Sequence, residues 1–180
     1  MTNITEKLIQ KHVLGLLSSD FEIEEQVKGK HFSGVKLKID AIIIPKVAER
    51  WKDANPVLGL EFKNNLRLKG DTKNYTEWLA QCIDYSHTEW GEYGFIYVFA
   101  CPGLIEGLPY QTDVDPTKNG PDSIQWLLPR IMSQLGVGEL KNSNQYGWTF
   151  YLQNEHRIWS QKEGLKEGNR WSLTRKFGSR

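Results

Sequence analysis

The sequence has few of the features that mark secreted, zinc-binding or membrane-embedded proteins. It contains two cysteines, Cys82 and Cys101, which are 19 positions apart and form neither a C-x-x-C pair nor a Cys/His ligand spacing. This pattern argues against a structural zinc site and favours a reducing compartment, so a cytoplasmic location is expected. No apolar run approaches the ~20 residues that a membrane span requires, and no signal-peptide pattern is present at the start. The sequence therefore predicts a protein that is neither secreted nor bound to a membrane.

The sequence also lacks a charge imbalance and the common nucleotide-binding motifs. Its 23 Lys and Arg residues against 22 Asp and Glu give a formal charge of +1, so whole-chain charge does not indicate a nucleic-acid partner, although a local basic patch remains compatible with one. Its four histidines show no metal-ligand spacing, and no P-loop, nucleophile-elbow or dinucleotide-binding pattern occurs. At 180 residues the chain suits one domain with a substantial core.

Hydrophobic periodicity predicts an ordered series of helices and strands in the first half. Residues 3–18 predict an amphipathic helix with Asn3 and Glu6 as a capping box. The alternating segments FEIEEQVKG and VKLKIDAIII predict a β-hairpin, and VLGLEFK predicts a third strand. Residues 74–90 predict a second helix, and GFIYVFACPG predicts a strand buried on both faces. This α-β-β-β-α-β order indicates an α/β fold in which helices flank a mixed β-sheet.

The second half of the chain is less regular. Residues 102–122 are rich in Pro, Gly and Asp, and so long a connection is typical of a functional loop. The segment SIQWLLPRIMSQLGV predicts one more helix, while GWTFYLQNEHRIWS and RWSLTRKFG predict a closing antiparallel pair. We expect a single domain over residues 1–180, with its core at 3–100 and a β-rich C-terminal extension at 123–180.

A carboxylate stands within the most hydrophobic strand of the chain. Asp40 lies between Ile39 and Ala41, where an unpaired buried charge would be strongly destabilising. One interpretation is a structural ion pair with Lys36 or Lys38. The other is a divalent cation, because Mg²⁺ binds carboxylate and carbonyl oxygens while it retains several waters.

The segment VLGLEFKNN, residues 57–65, places an acid and a base on one face of a strand. Side chains alternate in an extended chain, so Glu61 and Lys63 point one way while Phe62 points towards the core. Read alone, the pair indicates a solvated face, on which alternating charges are common. Next to Asp40, however, Glu61 supplies a second carboxylate and the Phe62 carbonyl another oxygen. Lys63 then supplies an ammonium that can orient a water or stabilise a developing anion.

These motifs, in this order, resemble the PD-(D/E)xK nuclease superfamily, whose restriction-endonuclease-like fold is a mixed sheet flanked by helices. The resemblance covers roughly residues 3–99. It implies that Asp40 and Glu61 hold Mg²⁺ or Mn²⁺, and that Lys63 helps to activate the water that attacks a phosphodiester of DNA. The chain departs from the motif in one respect, because Ile39 occupies the position where the motif name has Pro.

Both predicted helices extend this resemblance. An acid on the first helix often completes such sites as a metal ligand, and Glu6 matches it, with the helix cap as its alternative role. In the second helix QCIDY has the Gln-x-x-x-Tyr form of one branch of the superfamily, which implies a catalytic role for Gln81 and a nucleic-acid contact for Tyr85. These two residues lie four apart and share a helical side. The alternative for Tyr85 is ordinary core packing.

Cations and aromatic residues are interleaved towards the C-terminal end of the chain. Arg175 and Lys176 in RKFGSR are candidate nucleic-acid contacts, because cations bind phosphates and neighbouring rings can stack on bases. The alternative is that the Trp and Tyr residues of this region pack in the core or on a sheet face.

Together these patterns predict a Mg²⁺- or Mn²⁺-dependent deoxyribonuclease whose partner is DNA. A homodimer would suit double-strand cutting, although no residue indicates one. The alternative function is a non-catalytic module that keeps the fold and binds nucleic acid or a protein. A third interpretation is a structural subunit of a larger assembly.

Overall fold

The structure, a computed structural model, describes residues 5–47, 51, 56–63, 72–102, 132, 134–152 and 156–166. The helices of this part are α1 (Glu6–Leu17) and α2 (Thr72–Ser86), with a 3₁₀ turn at Gly91–Tyr93. Its strands are β1 (Phe21–His31), β2 (Lys36–Pro45), β3 (Leu58–Phe62), β4 (Thr88–Glu89), β5 (Tyr97–Cys101), β6 (Val137–Ser143), β7 (Gly147–Leu152), β8 (His156–Ser160) and β9 (Gly164–Leu165). Within these ranges no helix is both long and apolar enough to cross a membrane.

All of these strands join one mixed sheet in the order β4-β1-β2-β3-β5-β6-β7-β8-β9. β1 and β2 form the predicted antiparallel hairpin, and β3 lies antiparallel to β2. β3 and β6 both run parallel to β5, which lies between them. The α/β class with a mixed sheet is therefore confirmed.

The two helices cover opposite faces of the sheet. Leu58, Leu60 and Phe62 alternate along β3 and are fully buried in a cluster that includes the apolar side of α1. Trp78 and Cys82 of α2 belong to a second cluster, which contains Val98 and Ala100 of β5 and Val137 of β6. Since successive residues of a strand point to opposite faces, Glu61 lies on the α2 side, between two core residues that point to the α1 side.

The C-terminal half differs from its sequence prediction in two respects. GWTFYLQNEHRIWS is not one strand, because it forms both β7 and β8, which pair as an antiparallel hairpin. β6 was not among the predicted strands, and its Gly138 is a residue that weakens a strand pattern. A glycine is needed there because a Cβ would lie 2.5 Å from Cε1 of Phe99 and 2.7 Å from the carbonyl oxygen of Tyr151. Close packing between strands thus explains a residue that weakens the local strand signal.

Several predicted segments lie outside the described residues. They are RWSLTRKFG, most of the connection at 102–122, and most of the helix expected in SIQWLLPRIMSQLGV. The division of the chain into a core and an extension stays a prediction, although β6 to β9 continue the same sheet as β1 to β5.

Candidate active site

Asp40 lies on β2 and accepts hydrogen bonds from both neighbouring strands, one from a side chain of β1 and one from the backbone of β3. The Phe62 amide N–H donates to Oδ2 of Asp40 at 2.9 Å, and Nε2 of Gln26 donates to Oδ1 at 3.3 Å. None of the ion pairs among the described residues joins Asp40 to Lys36 or Lys38, and both lysines are exposed. The structural ion pair is therefore the wrong interpretation of this carboxylate.

Glu61, on β3, is a buried carboxyl in which only one of the two oxygens accepts a hydrogen bond. Its side chain is 5% exposed, so the solvated face considered for VLGLEFKNN is wrong. Oε1 accepts a 2.7 Å hydrogen bond from Nε2 of Gln81, whereas the buried Oε2 has no hydrogen-bond partner. Such an orphaned oxygen is rare in a folded core and calls for an explanation.

The surroundings of Glu61 favour its neutral form. Burial, followed by the negative charge of Asp40, raises the pKa of Glu61 from 4.5 to about 9, while the positive charge of Lys63 opposes this rise. A hydrogen bond to the Asp40 side chain, which Glu61 can donate only in its protonated form, and the charge of Glu6 add smaller increases. Three other predicted site residues therefore influence the pKa of the Glu61 carboxyl, namely Asp40, Lys63 and Glu6.

Lys63 follows β3 directly, with its backbone fixed by the neighbouring strand. Its N–H donates to the Cys101 carbonyl at 2.9 Å, which continues the pairing of β3 with β5. Its half-buried side chain carries the positive charge that opposes the rise in the Glu61 pKa.

Burial raises the pKa of Cys82 well above its ordinary value, so this thiol stays neutral and is not a nucleophile.

The Gln-x-x-x-Tyr motif forms one connected unit on α2. Nε2 of Gln81 donates to the Tyr85 hydroxyl at 2.8 Å as well as to Glu61. Tyr85 is only 6% exposed and meets Trp90 edge to face at 5.6 Å between ring centroids. Burial, then the charge of Glu61, raises the pKa of Tyr85 to about 12. Tyr85 thus packs in the core beside Gln81, and its contact with nucleic acid stays a prediction.

Glu6 is the first residue of α1 and lies on the rim of the site. The predicted capping box at Asn3 and Glu6 is wrong, because Thr5 is the N-cap and its hydroxyl accepts a 3.3 Å hydrogen bond from the Leu8 N–H. Glu6 is exposed, and together with Gln26 it lines an open groove of about 800 Å³ between α1 and β1. Its charge reaches Glu61, but its role as a metal ligand stays a prediction.

The predicted C-terminal nucleic-acid contacts stay a prediction. Arg175 and Lys176 lie outside the described residues. Trp148 and Trp159 are buried in the α1-side cluster, as the core-packing alternative predicts. Arg157 forms an ion pair with Glu163 and stacks over the Tyr146 ring.

The sequence reasoning missed Gln26. The register of the β1–β2 hairpin could have identified this residue. Glu25 pairs with Ala41 and Val27 pairs with Ile39, so Gln26 lies opposite Asp40. A single glutamine in an exposed, alternating strand carries no chemical signature of its own.

The oxygen donors at this site fit a hard divalent cation. No group of three or more His, Cys, Asp and Glu residues within the described ranges forms a cation site. Asp40 and Glu61 nevertheless interact directly, and the unpartnered Oε2 of Glu61 is available as a ligand. Mg²⁺ and Mn²⁺ suit carboxylate, carbonyl and water oxygens, and Mg²⁺ commonly uses only one or two carboxylates.

Comparisons of the chain with protein-family models, with curated proteins and with solved structures gave no match. The chemistry of the site is therefore inferred from its own residues.

Proposed function

We propose that this chain is a divalent-metal-dependent nuclease that hydrolyses phosphodiester bonds of DNA. The observation that carries the proposal is the buried Glu61 carboxyl, held beside Asp40 with one oxygen that accepts no hydrogen bond. Burial of a carboxyl next to another carboxylate destabilises the folded protein unless a further interaction compensates it. Strongly perturbed carboxyls of this kind concentrate at functional sites.

The element order supports a restriction-endonuclease-like fold for the same chain. β3 carries Glu61 between an antiparallel neighbour, β2 with Asp40, and a parallel neighbour, β5. α1 and α2 cover the two faces of this sheet, and α2 contributes Gln81. This arrangement agrees with the α-β-β-β-α-β order of the superfamily that the sequence resembles.

Asp40, Glu61 and the Phe62 carbonyl would hold Mg²⁺ or Mn²⁺, and Glu6 would hold a second ion or a water. When bound, such an ion polarises the scissile phosphate and lowers the pKa of water. Glu61 must first release its proton, because a metal ligand acts in its ionised form. The Phe62 amide keeps Asp40 oriented towards that position.

Lys63 and Gln81 act on either side of Glu61. The Lys63 ammonium orients the attacking water and offsets negative charge that develops on the phosphate. Gln81 fixes Oε1 of Glu61 by its hydrogen bond, so that Oε2 is the oxygen left for a ligand. Rigid strand and helix positions hold these groups with the accuracy that catalysis requires.

The direct test is DNA cleavage by the purified chain with Mg²⁺ or Mn²⁺. Linear, circular, single-stranded and branched DNA should be offered to the parent and to Asp40→Asn, Glu61→Gln and Lys63→Met. Each substitution should lower cleavage about a hundredfold or more. Glu139→Gln is the matched control, because Glu139 is an equally buried glutamate that has Lys141 as its partner at 3.2 Å.

Two results would overturn the nuclease proposal. One is a parent protein that leaves every DNA form uncut with both ions, and the other is full cleavage by Glu61→Gln and Lys63→Met. Calorimetry then tests the alternative function, a non-catalytic module that binds nucleic acid or a protein. Such a module should show no uptake of Mg²⁺ or Mn²⁺ that depends on Asp40 and Glu61.

A further inference from the structure

Gln26 has an unusual backbone conformation for its place in the fold. It lies in the middle of β1 with φ of 59°, and it is the only non-glycine residue with positive φ among the described residues. This left-handed region is unfavourable for a residue with a side chain, and glutamine has no special tolerance of it. Residues held in such conformations cluster at functional sites, where the surrounding structure enforces them.

The conformation of Gln26 coincides with a change of face in β1. Ile23 packs against the α1-side cluster, whereas Val27 packs against the α2-side cluster. These residues are four apart, so a regular strand would place both on one face. The alternation of β1 therefore breaks between them, in the stretch that contains Gln26.

β2 changes face at the position opposite Gln26. Ile39 belongs to the α2-side cluster and Ala41 to the α1-side cluster, although they are two residues apart. Asp40 lies between them and faces Gln26 across the hairpin, since the flanking residues of both strands remain paired. The irregular point of the hairpin is thus the point at which the candidate ligand Asp40 is placed.

The side chain of Gln26 acts on the same carboxylate. Its Nε2 donates to Oδ1 of Asp40 at 3.3 Å, while Oδ2 accepts from the Phe62 N–H. Each oxygen of Asp40 therefore accepts one hydrogen bond, Oδ1 from β1 and Oδ2 from β3. Together these two bonds restrict rotation of the carboxylate. A carboxylate has about four lone-pair sites, so both oxygens keep capacity for a cation.

An amide suits this position better than a charged group. A lysine or arginine at position 26 would neutralise Asp40 and compete with a cation, whereas a glutamate would repel the carboxylate. Glutamine donates a hydrogen bond and leaves the negative charge in place. Partners that orient metal ligands in this way commonly change metal affinity about 10- to 100-fold when removed.

We propose that Gln26 is a positioning residue of the metal site, whose left-handed backbone directs its amide to Asp40 and holds that carboxylate in the orientation for Mg²⁺ or Mn²⁺. This inference rests on the metal site proposed above. The unfavourable backbone conformation persists because it serves the site and does not serve stability.

Two substitutions separate this role from a structural one. Gln26→Gly removes the amide and also relieves the backbone, because glycine adopts positive φ freely. Gln26→Met removes the amide but keeps the length of the side chain and the unfavourable φ. Gln10→Met is the matched control, since Gln10 donates to a carboxylate of the same groove, Oε2 of Glu25, at 3.1 Å.

The measurements are calorimetric titration with Mn²⁺ and thermal melting of the metal-free protein. Both Gln26 variants should bind Mn²⁺ about tenfold more weakly than the parent, and Gln10→Met should bind as the parent does. The glycine variant should nevertheless melt at a higher temperature than the methionine variant. A glycine variant that melts no lower than the parent, yet binds Mn²⁺ more weakly than the parent, is a combination that a purely structural role does not produce.

Parent-like Mn²⁺ affinity in Gln26→Gly would overturn the role of Gln26, whatever the methionine variant does. That result would leave the proposed nuclease intact, provided that the parent shows uptake that is lost in Asp40→Asn. Absence of this uptake in the parent would instead overturn the metal site and, with it, the role of Gln26.

Discussion

The Gln81 amide nitrogen donates a 2.7 Å hydrogen bond to Oε1 of Glu61 and so connects α2 to β3. Its second hydrogen is directed to the Tyr85 hydroxyl at 2.8 Å. Both N–H groups of one amide are therefore used by oxygen acceptors, which fixes the orientation of the Gln81 side chain. This relationship gives the short Gln-x-x-x-Tyr pattern a physical meaning, because the tyrosine orients the glutamine that orients the acid.

Replacement of Gln81 by leucine should destabilise the protein more than loss of the Tyr85 hydroxyl. Gln81→Leu leaves the buried Oε1 of Glu61 without a donor, at a cost of about 1–3 kcal/mol in the free energy of unfolding. Tyr85→Phe keeps that donor and removes one hydrogen bond, which should cost about 1 kcal/mol or less. Urea unfolding of the metal-free proteins measures both values. Equal costs would mean that Gln81 does not act mainly through Glu61.

The metal-free protein should lose stability as the pH rises through the neutral range. The folded-state pKa of Glu61, about 9, lies above its ordinary value of 4.5, so between these values the folded state binds more protons than the unfolded chain. Stability contributed by the protonated group is complete below about pH 4.5 and declines towards pH 9, by at most about 1.4 kcal/mol per pH unit. Glu61→Gln should remove this decline.

Urea unfolding across that pH range, with a chelator present, tests this expectation. The difference between Glu61→Gln and the parent should grow in favour of the variant as the pH increases. Glu139→Gln controls for loss of a buried carboxyl, because Glu139 has an ion-pair partner in Lys141. A constant difference between Glu61→Gln and the parent at all pH values would contradict the raised pKa of Glu61.

Cation uptake should release a proton from Glu61. At pH 7 this carboxyl is mostly protonated in the metal-free protein, because its pKa is about 9, and a ligand carboxyl binds in its ionised form. Apparent Mn²⁺ affinity should therefore rise about tenfold per pH unit below that pKa.

Calorimetry at pH 7 in two buffers with different ionisation enthalpies measures the protons released, and about one per ion is expected. Asp40→Asn should reduce this number together with the affinity, since the charge of Asp40 is the second-largest cause of the raised pKa. Tight binding without proton release would show that Glu61 is not a ligand.

The regular parts of the fold and half of the site follow from sequence patterns. Alternation in VLGLEFK correctly places Phe62 in the core and Glu61 on the other face, and helical spacing places Gln81 beside Tyr85. Burial of Glu61 could not be predicted, because it depends on α2 covering that face of β3. A pattern within one strand does not report what packs against it.

Gln26 illustrates a different limit of sequence patterns. Alternation assumes a regular strand, but β1 and β2 both change face where Gln26 and Asp40 meet. Glycine or asparagine would have signalled a left-handed residue, whereas glutamine gives no such signal. Strict alternation therefore assigns Lys36 and Lys38 to the face of Asp40, and the ion pair expected from it does not form.

Lys63 should separate catalysis from the electrostatics of metal binding. Its charge lowers the pKa of Glu61, so Lys63→Met should raise that pKa further and weaken Mn²⁺ uptake at pH 7. At about pH 9 a larger fraction of Glu61 is ionised than at pH 7, so uptake by the variant should rise at least to the level that the parent shows at pH 7. DNA cleavage should remain about a hundredfold or more below the parent at both pH values, because the ammonium that acts on the water and phosphate is absent.

Lys63→Arg provides the matching control, since it keeps the charge but not the compact ammonium. It should bind Mn²⁺ as the parent does at pH 7 while cleaving DNA less well. If Lys63→Met regained cleavage in step with Mn²⁺ uptake as the pH rose, Lys63 would serve only to tune Glu61. Persistent loss of cleavage despite restored uptake would instead mean that Lys63 contacts the reacting groups, as expected for a strand that presents an acid and a base to the same phosphate.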